Sequence, residues 1–265
     1  MAMVRIMGAS GTRPSWPQNG MICHFESNHD GRISRSNGCE GGMPYAGHHG
    51  ASIMTTIAGI AIPDSQLARE VTDLVRDTET DLLYHHSRRV FLFGALTGRQ
   101  KQLSFDPELL YIGAMFHDMG LMPAHSSPDH RFEVDGANAA ADFLRRHGIP
   151  QQSIELVWTS IALHTTPGIP EFMRPEIALL TAGVEMDVLG LGFSNVADGD
   201  RATVVEAHPR SAQFKQDIIE AFYQGIRHKP DTTFGNVKAD VMALKEPHFH
   251  RGNFCSVILH SAWPG

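Results

Sequence analysis

The chain has 265 residues, 42% of them hydrophobic and 19% charged, which fits one or two soluble globular domains and excludes a wholly disordered or collagen-like protein. Its 22 Lys and Arg against 29 Asp and Glu leave a formal charge of −7 with no basic cluster, which argues against nucleic acid as the main partner. The longest apolar stretch near the start, Ile53 to Ile62, is about half the ~20 residues of a membrane span and follows no basic segment, and Cys23, Cys39 and Cys255 form no C-x-x-C pair; the expectation is a cytoplasmic protein with reduced thiols and no membrane association.

Residues 1 to 52 are rich in Gly, Ser, Asn and His, carry Pro14, Pro17 and Pro44, and lack a sustained hydrophobic period. They read as a flexible, disordered tail whose histidines (His24, His29, His48, His49) are solvated, leaving 53 to 265 as the folded domain. From Pro63 the pattern becomes helical. A first helix, capped by Asp64 or Ser65, carries Leu67, Val71, Leu74, Val75, Leu82, Leu83, Val90 and Phe93 and ends near Gly94 or Gly98. A second runs from Pro107 to Met119 with Gly120 as its C-terminal cap. A third, from Arg131 to Arg146, aligns Val134, Ala137, Ala141 and Leu144; a fourth covers Gln151 to His164. The fifth starts at Pro175 and carries Ile177, Leu180, Val184 and Leu191. Two more span Ser211 to His228 and Gly235 to Lys245, and no convincing strand pattern or internal repeat is visible. The fold class is all-α.

Sixteen histidines are the compositional anomaly, and neutral imidazole is the commonest metal ligand in proteins. Position selects among them. His86 shares a stripe with Leu83, Val90 and Phe93, whereas His85 and Arg89 fall on a more polar face. The almost entirely apolar second helix ends in His117-Asp118, where a buried carboxylate without a partner costs several kcal/mol. His164 lines up with Ile154, Val157 and Ile161 on the fourth helix, and Asp187 with Leu180 and Leu191 on the fifth, while Glu185 projects elsewhere. Each alone is compatible with a satisfied core polar group. Four helices delivering His or Asp inward point to a shared cation, and mixed His/Asp ligation suits Zn, Mn or Fe better than Ca or Mg.

In order and on helices, His86, His117-Asp118 and Asp187 match the H…HD…D signature of the HD-domain metal-dependent hydrolase superfamily, which residues 60 to 265 resemble. Within it the chain is most similar to the cyanamide hydratase-like branch, through His86-Ser87-Arg88-Arg89-Val90, His117-Asp118-Met119-Gly120-Leu121, Arg131-Phe132-Glu133-Val134-Asp135-Gly136-Ala137 and Ala162-Leu163-His164-Thr165. The resemblance implies an HD-type helical bundle in which His86, His117, Asp118 and Asp187 hold one divalent ion, zinc first, with iron or manganese as alternatives. It further implies addition of water to a small nitrile-like molecule, cyanamide to urea being the type reaction. Asp118 and His164 are the candidate catalytic groups, His164 either as an acid/base beside the ion or as a direct ligand.

Many HD phosphohydrolases carry a lysine where Leu121 stands, and no GYP motif is present. Residues 120 to 129 contain no cation to offset a phosphate, so hydrolysis of a phosphate ester or nucleotide is the second reading, with Arg88, Arg89 and Arg131 as the remaining cations. Arg88 and Arg89 read equally as a solvated face, and Arg131 and Glu133 as helix-start residues or pocket lining. Phe132, Glu133 and His130 are the candidate substrate-binding residues, with pocket size set by Phe116, Phe132, Trp158 and Phe172. A non-catalytic scaffold is a third reading. The stretch from His248 to Trp263 packs on its own domain or on another subunit, which leaves homo-oligomerisation open.

Overall fold

A computed structural model describes residues 55–233, 235 and 237–264, so the reading of residues 1 to 52 as a disordered tail lies outside the described residues. Among these, a two-stranded antiparallel hairpin (β1, Thr56–Ile57; β2, Ile60–Ala61) that the sequence did not announce precedes ten α-helices. Its turn places Ala58 and Gly59 at positive φ, 49° and 71°.

The expected first helix is two: α1 (Gln66–Thr78) and α2 (Asp81–Gln100). Thr80 is extended (φ −70°, ψ 158°), and its hydroxyl accepts from the Leu83 N–H, so a second N-cap is written into an otherwise unbroken apolar pattern. Ser65 caps α1 in the same way through the Ala68 N–H at 3.0 Å. α2 is buried on nearly every side, the mark of a central helix. It does not stop at Gly94 or Gly98. A Cβ on Gly94 would lie 2.6 Å from the Leu179 carbonyl oxygen, and one on Gly183 would lie 2.1 Å from the Val90 carbonyl oxygen. These glycines let α2 and α6 (Pro175–Val184) touch backbone to backbone, which sets His86 and Arg89 against the chain that follows Val184.

α3 (Pro107–Phe116) starts from Asp106, whose carboxylate accepts from the Glu108 and Leu109 N–H groups. It ends three residues earlier than expected, and Met119–Leu121 forms a 3₁₀ turn. Gly120 is therefore not a left-handed cap. A Cβ there would come 1.9 Å from the Phe132 carbonyl oxygen, so the glycine permits this turn to seat on the start of α4 (Phe132–Arg146). α5 (Gln151–Leu163) ends at His164. After α6 a π-helical turn, Glu185–Leu189, changes the register and closes on Gly190 at φ 69°; Leu191, expected on the buried stripe, is half exposed as a result. α7 (Asp198–Ala207) was not foreseen, and α8 (Phe214–Ile226), α9 (Val237–Lys245) and α10 (Phe254–Leu259) complete the chain.

The core is a layer of fully buried side chains from α2, α3 and α5, among them Phe91, Phe93, Tyr111, Met115, Phe116 and Ile161, each contributing roughly 1.5–3 kcal/mol by burial. The C-terminal stretch packs on its own domain: Ile258 and Trp263 are buried, and the Trp263 indole N–H donates to the Met186 carbonyl at 2.7 Å. No helix among the described residues is long and apolar enough to cross a membrane.

One buried ion pair ties α4 to the chain just beyond α8. Lys229 Nζ donates to Asp135 Oδ2 at 2.7 Å, and the same oxygen accepts from the Ser127 N–H at 2.9 Å. Burial raises the Asp135 pKa, but these hydrogen bonds outweigh it and hold the value below the usual carboxylate range. The pair's contribution is therefore complete above the unfolded-state pKa of about 3.9 and is lost as pH falls through the lower folded value. Lys229→Met is expected to cost about 3–5 kcal/mol at pH 7 in urea unfolding, by leaving Asp135 charged and unpaired. The difference from the wild type should narrow as pH drops past about 4; a pH-independent difference would count against the pair.

Candidate metal centre

His86 on α2, His117 at the end of α3 and His164 at the end of α5 converge on Asp118, all of them buried. Their tautomers follow from their neighbours. His117 Nδ1 lies 2.7 Å from the Ala114 carbonyl, His164 Nδ1 lies 2.6 Å from the Ile161 carbonyl, and His86 Nδ1 lies 2.6 Å from Asp187 Oδ2. Carbonyl and carboxylate oxygens only accept, so each Nδ1 carries a hydrogen, and in the neutral ring Nε2 is then left as a lone pair. The two helix-end histidines thus bond the carbonyls of their own last turns, which aims their Nε2 atoms past the helix ends.

Those Nε2 atoms meet. His86 Nε2 and His117 Nε2 are 3.1 Å apart, and Asp118 Oδ2 is 3.6 Å from the first and 3.3 Å from the second. His164 Nε2 is 3.8 Å from Asp118 Oδ1. Both Asp118 oxygens and His164 Nε2 are buried without a hydrogen-bond partner. Two facing nitrogen lone pairs and a carboxylate sealed from water need a proton or a cation between them, since an unsatisfied buried charge is among the most costly features of an interior. The donor atoms of His86, His117 and Asp118 all lie within 4.8 Å of one another, which fits a single ion held by two imidazoles and a carboxylate. Burial would raise the Asp118 pKa, but His117, His86 and His164 around it hold the carboxyl well below the usual range. Burial, with His117 adding to it, pushes the His164 pKa down to about 4.

Asp187 stands on the other side of His86. Its Oδ1 accepts from Arg89 Nε at 2.8 Å and Arg210 Nη1 at 2.6 Å, and its Oδ2 from Arg89 Nη2 at 3.0 Å and His86 Nδ1 at 2.6 Å. A carboxylate offers about four lone-pair sites, and all are filled here by protein donors. The structure thus brings together three of the four residues expected to hold the ion and places the fourth where it orients His86. Burial works against the Asp187 charge, yet Arg89 and then Arg210 keep its pKa far below normal.

Neither arginine was read in this role. Arg89, assigned to a polar face, is completely buried; Arg88 is buried too, donating to the Tyr111 hydroxyl and to His208 Nε2. A solvated face for the pair is therefore ruled out. The available signal was the spacing of Arg89 three residues after His86 on the apolar side of α2, while Arg210 lies in a loop with no periodicity to mark it. Glu79, at the break between α1 and α2, was also missed: burial, reinforced by Asp118, raises its pKa well above normal, and Ser87 donates to it at 3.3 Å.

A cavity of about 700 Å³ opens beside His164, lined by Arg131, Phe132, Glu133 and Thr165 at its polar end. Glu133 accepts from Arg131 Nη2 at 2.8 Å and from the Thr165 hydroxyl, which places Arg131 and Glu133 in the lining as well as at the start of α4. Glu185, expected to project elsewhere, lines the same cavity. His130 stands apart, its ring more than half exposed and its Nδ1 3.6 Å from Asp135 Oδ1. Of the four aromatics expected to set the pocket, only Phe132 lines this cavity. Phe116 is core, Trp158 donates to Asn138 on the outside of α4, and Phe172 is 83% exposed.

The helical bundle therefore carries a buried His/His/Asp cluster that could hold a metal ion. Residues 83–208 match the family model of the HD domain, a stretch that includes His86, His117, Asp118, His164 and Asp187, and that family generally comprises metal-dependent hydrolases. Among curated proteins, none matches the chain. The match begins inside α2 and ends at His208, so Arg210 and α8 to α10 fall outside it.

Proposed function

We propose that the chain is a metal-dependent hydratase that adds water across the carbon–nitrogen multiple bond of an uncharged, nitrile-like substrate, with conversion of cyanamide to urea as the smallest case. The observation that supports this reading is that His164, whose Nε2 is unsatisfied beside the equally unsatisfied Asp118, lines a cavity whose lining cation, Arg131, is paired with Glu133. A phosphate substrate calls for a surplus of cations, and among the described residues this lining supplies one arginine, Arg131, already paired with Glu133.

In this reading His86 and His117, through Nε2, and Asp118 hold one divalent ion, zinc by preference, and Asp187 fixes the ring of His86. When bound, such an ion supplies Lewis acidity toward water or the substrate nitrogen. His164 carries the proton. At neutral pH its Nε2 is an unprotonated acceptor, because its pKa lies near 4 and its Nδ1–H is committed to Ile161. Water oxygen bonds to the nitrile carbon as one carbon–nitrogen π bond breaks; Nε2 takes the water proton and returns it to nitrogen, and tautomerisation gives the amide or urea. A protonated imidazole with so low a pKa gives its proton up readily. Phe132 and Glu133 position the substrate, and cytoplasmic location belongs to the same proposal.

Metal-loaded protein assayed against cyanamide and a panel of nucleotides is expected to form urea and release no inorganic phosphate. Phosphate release without urea would replace this reading by a phosphohydrolase.

A further inference from the structure

Beyond the polar end, the cavity beside His164 is far larger than cyanamide needs and is built for something else. Its wall is a run of rings in edge-on contact: His164 to Phe132 at 5.5 Å between centroids, Phe132 to Phe222 at 5.7 Å, and Phe222 to Phe254 at 6.0 Å, with interplanar angles of 73°, 61° and 81°. Leu189, Ile219 and Ile226 add aliphatic lining. At about 700 Å³ the space matches the 300–1,000 Å³ of sites that enclose drug-sized molecules. Its charges are Arg131, Glu133 and Glu185, and Arg131 pairs with Glu133, so the lining carries no net positive charge to attract an anion. Burial and Glu171 raise the Glu185 pKa, which fits a lining that avoids charge. Phe222, Ile219 and Ile226 lie on α8 and Phe254 on α10, outside the stretch that matches the HD domain.

We infer that the substrate is an uncharged molecule with an aryl body, seated along the Phe132–Phe222–Phe254 wall with its reacting group turned toward His164, and that α8 and α10 are the elements that select it. The inference rests on the hydration reading for the identity of the reacting group, but not for the shape and polarity of the body. Aromatic side chains favour edge-to-face and offset partners, and this wall presents ring faces and edges at the spacing an additional ring can join. A phosphate or a carboxylate-bearing ligand would be rejected by the same wall.

Binding and turnover separate the two claims. Calorimetric titration of the metal-loaded protein with benzamide, the product of benzonitrile hydration, is expected to show saturable binding where urea and inorganic phosphate show none. Ile219→Trp, which fills the cavity from α8, should weaken benzamide at least ~10-fold, the scale on which apolar pockets discriminate shape. Unchanged metal content and circular dichroism in that variant confirm that the centre is intact. Absence of benzamide binding, or binding indifferent to Ile219→Trp in an intact variant, overturns the aryl pocket. In turnover, kcat/KM for benzonitrile is expected to exceed that for cyanamide by ~100-fold or more. A preference for cyanamide overturns the inference and leaves the hydration reading standing. Benzamide binding with neither nitrile hydrated overturns the hydration reading and leaves the aryl pocket standing.

Discussion

His117→Ala is expected to abolish stoichiometric metal binding and turnover together, whereas His164→Ala is expected to abolish turnover alone. His117 Nε2 sits 3.1 Å from His86 Nε2 and 3.3 Å from Asp118 Oδ2, at the middle of the donor cluster, so its loss leaves one imidazole and one carboxylate. Removing a mere outer partner of a metal ligand typically lowers affinity by about 10–100-fold, and removing a ligand should exceed that. Elemental analysis after dialysis reads the result directly. A second readout is stability: an ion at 100 times its dissociation constant adds about 2.7 kcal/mol to the folded state, so the Tm gap between zinc-loaded and chelator-treated protein should vanish in His117→Ala. His164→Ala should retain that gap and lose about 10²–10⁴-fold in turnover, the usual contribution of a positioned acid/base. Full metal content in His117→Ala would break the ligand assignment, and lost metal in His164→Ala would make His164 a ligand.

How far the site was legible in the sequence depends on which residues broke a pattern. His86, His117 and His164 interrupt apolar helix faces, and a residue that violates its own face is visible to periodicity; these three do converge. Asp187 was visible for the same reason, but periodicity reports only that a side chain turns inward and not which neighbour it meets. Its neighbours are Arg89, read as surface, and Arg210, in a loop. The spacing of Arg89 four residues after His85 puts it on a polar face, a reading that fails because the carboxylate it meets comes from another helix. The fold shows the same division. The starts of α3 and α5, marked by Pro107 and Pro150, and that of α4 at Arg131 are legible nearly to the residue. The break at Thr80 was hidden because Leu74, Val75, Leu82 and Leu83 keep apolar spacing across it. The glycines were misread as stops because close backbone contact, between Gly94 and Leu179 or between Gly120 and Phe132, is a property of the partner and leaves no mark in the glycine's own segment.

Asp187→Asn is expected to destabilise the protein even when no metal is bound. In that variant Arg89, fully buried, and Arg210, mostly so, lose the carboxylate that neutralises both. Breaking one buried pair by removing a partner typically costs about 3–5 kcal/mol, a third or more of the stability of many domains, and here two guanidiniums share the loss. Arg210 is the more exposed to it: burial has already lowered its pKa to about 10, its Nε and Nη2 have no hydrogen-bond partner, and what it keeps is the bond from Nη1 to the backbone carbonyl of residue 187 at 2.8 Å and the Phe214 and Trp263 rings at 3.7 and 4.5 Å. The asparagine keeps the shape and one acceptor, so His86 can still donate from Nδ1, but the charge that stabilises Arg89 is gone. Urea unfolding of chelator-treated wild type and variant measures this directly. A loss of several kcal/mol in the metal-free state means that Asp187 acts on the metal through Arg89, Arg210 and the orientation of His86. Unchanged metal-free stability with collapsed metal affinity would instead make it a direct ligand, as the H…HD…D resemblance implies.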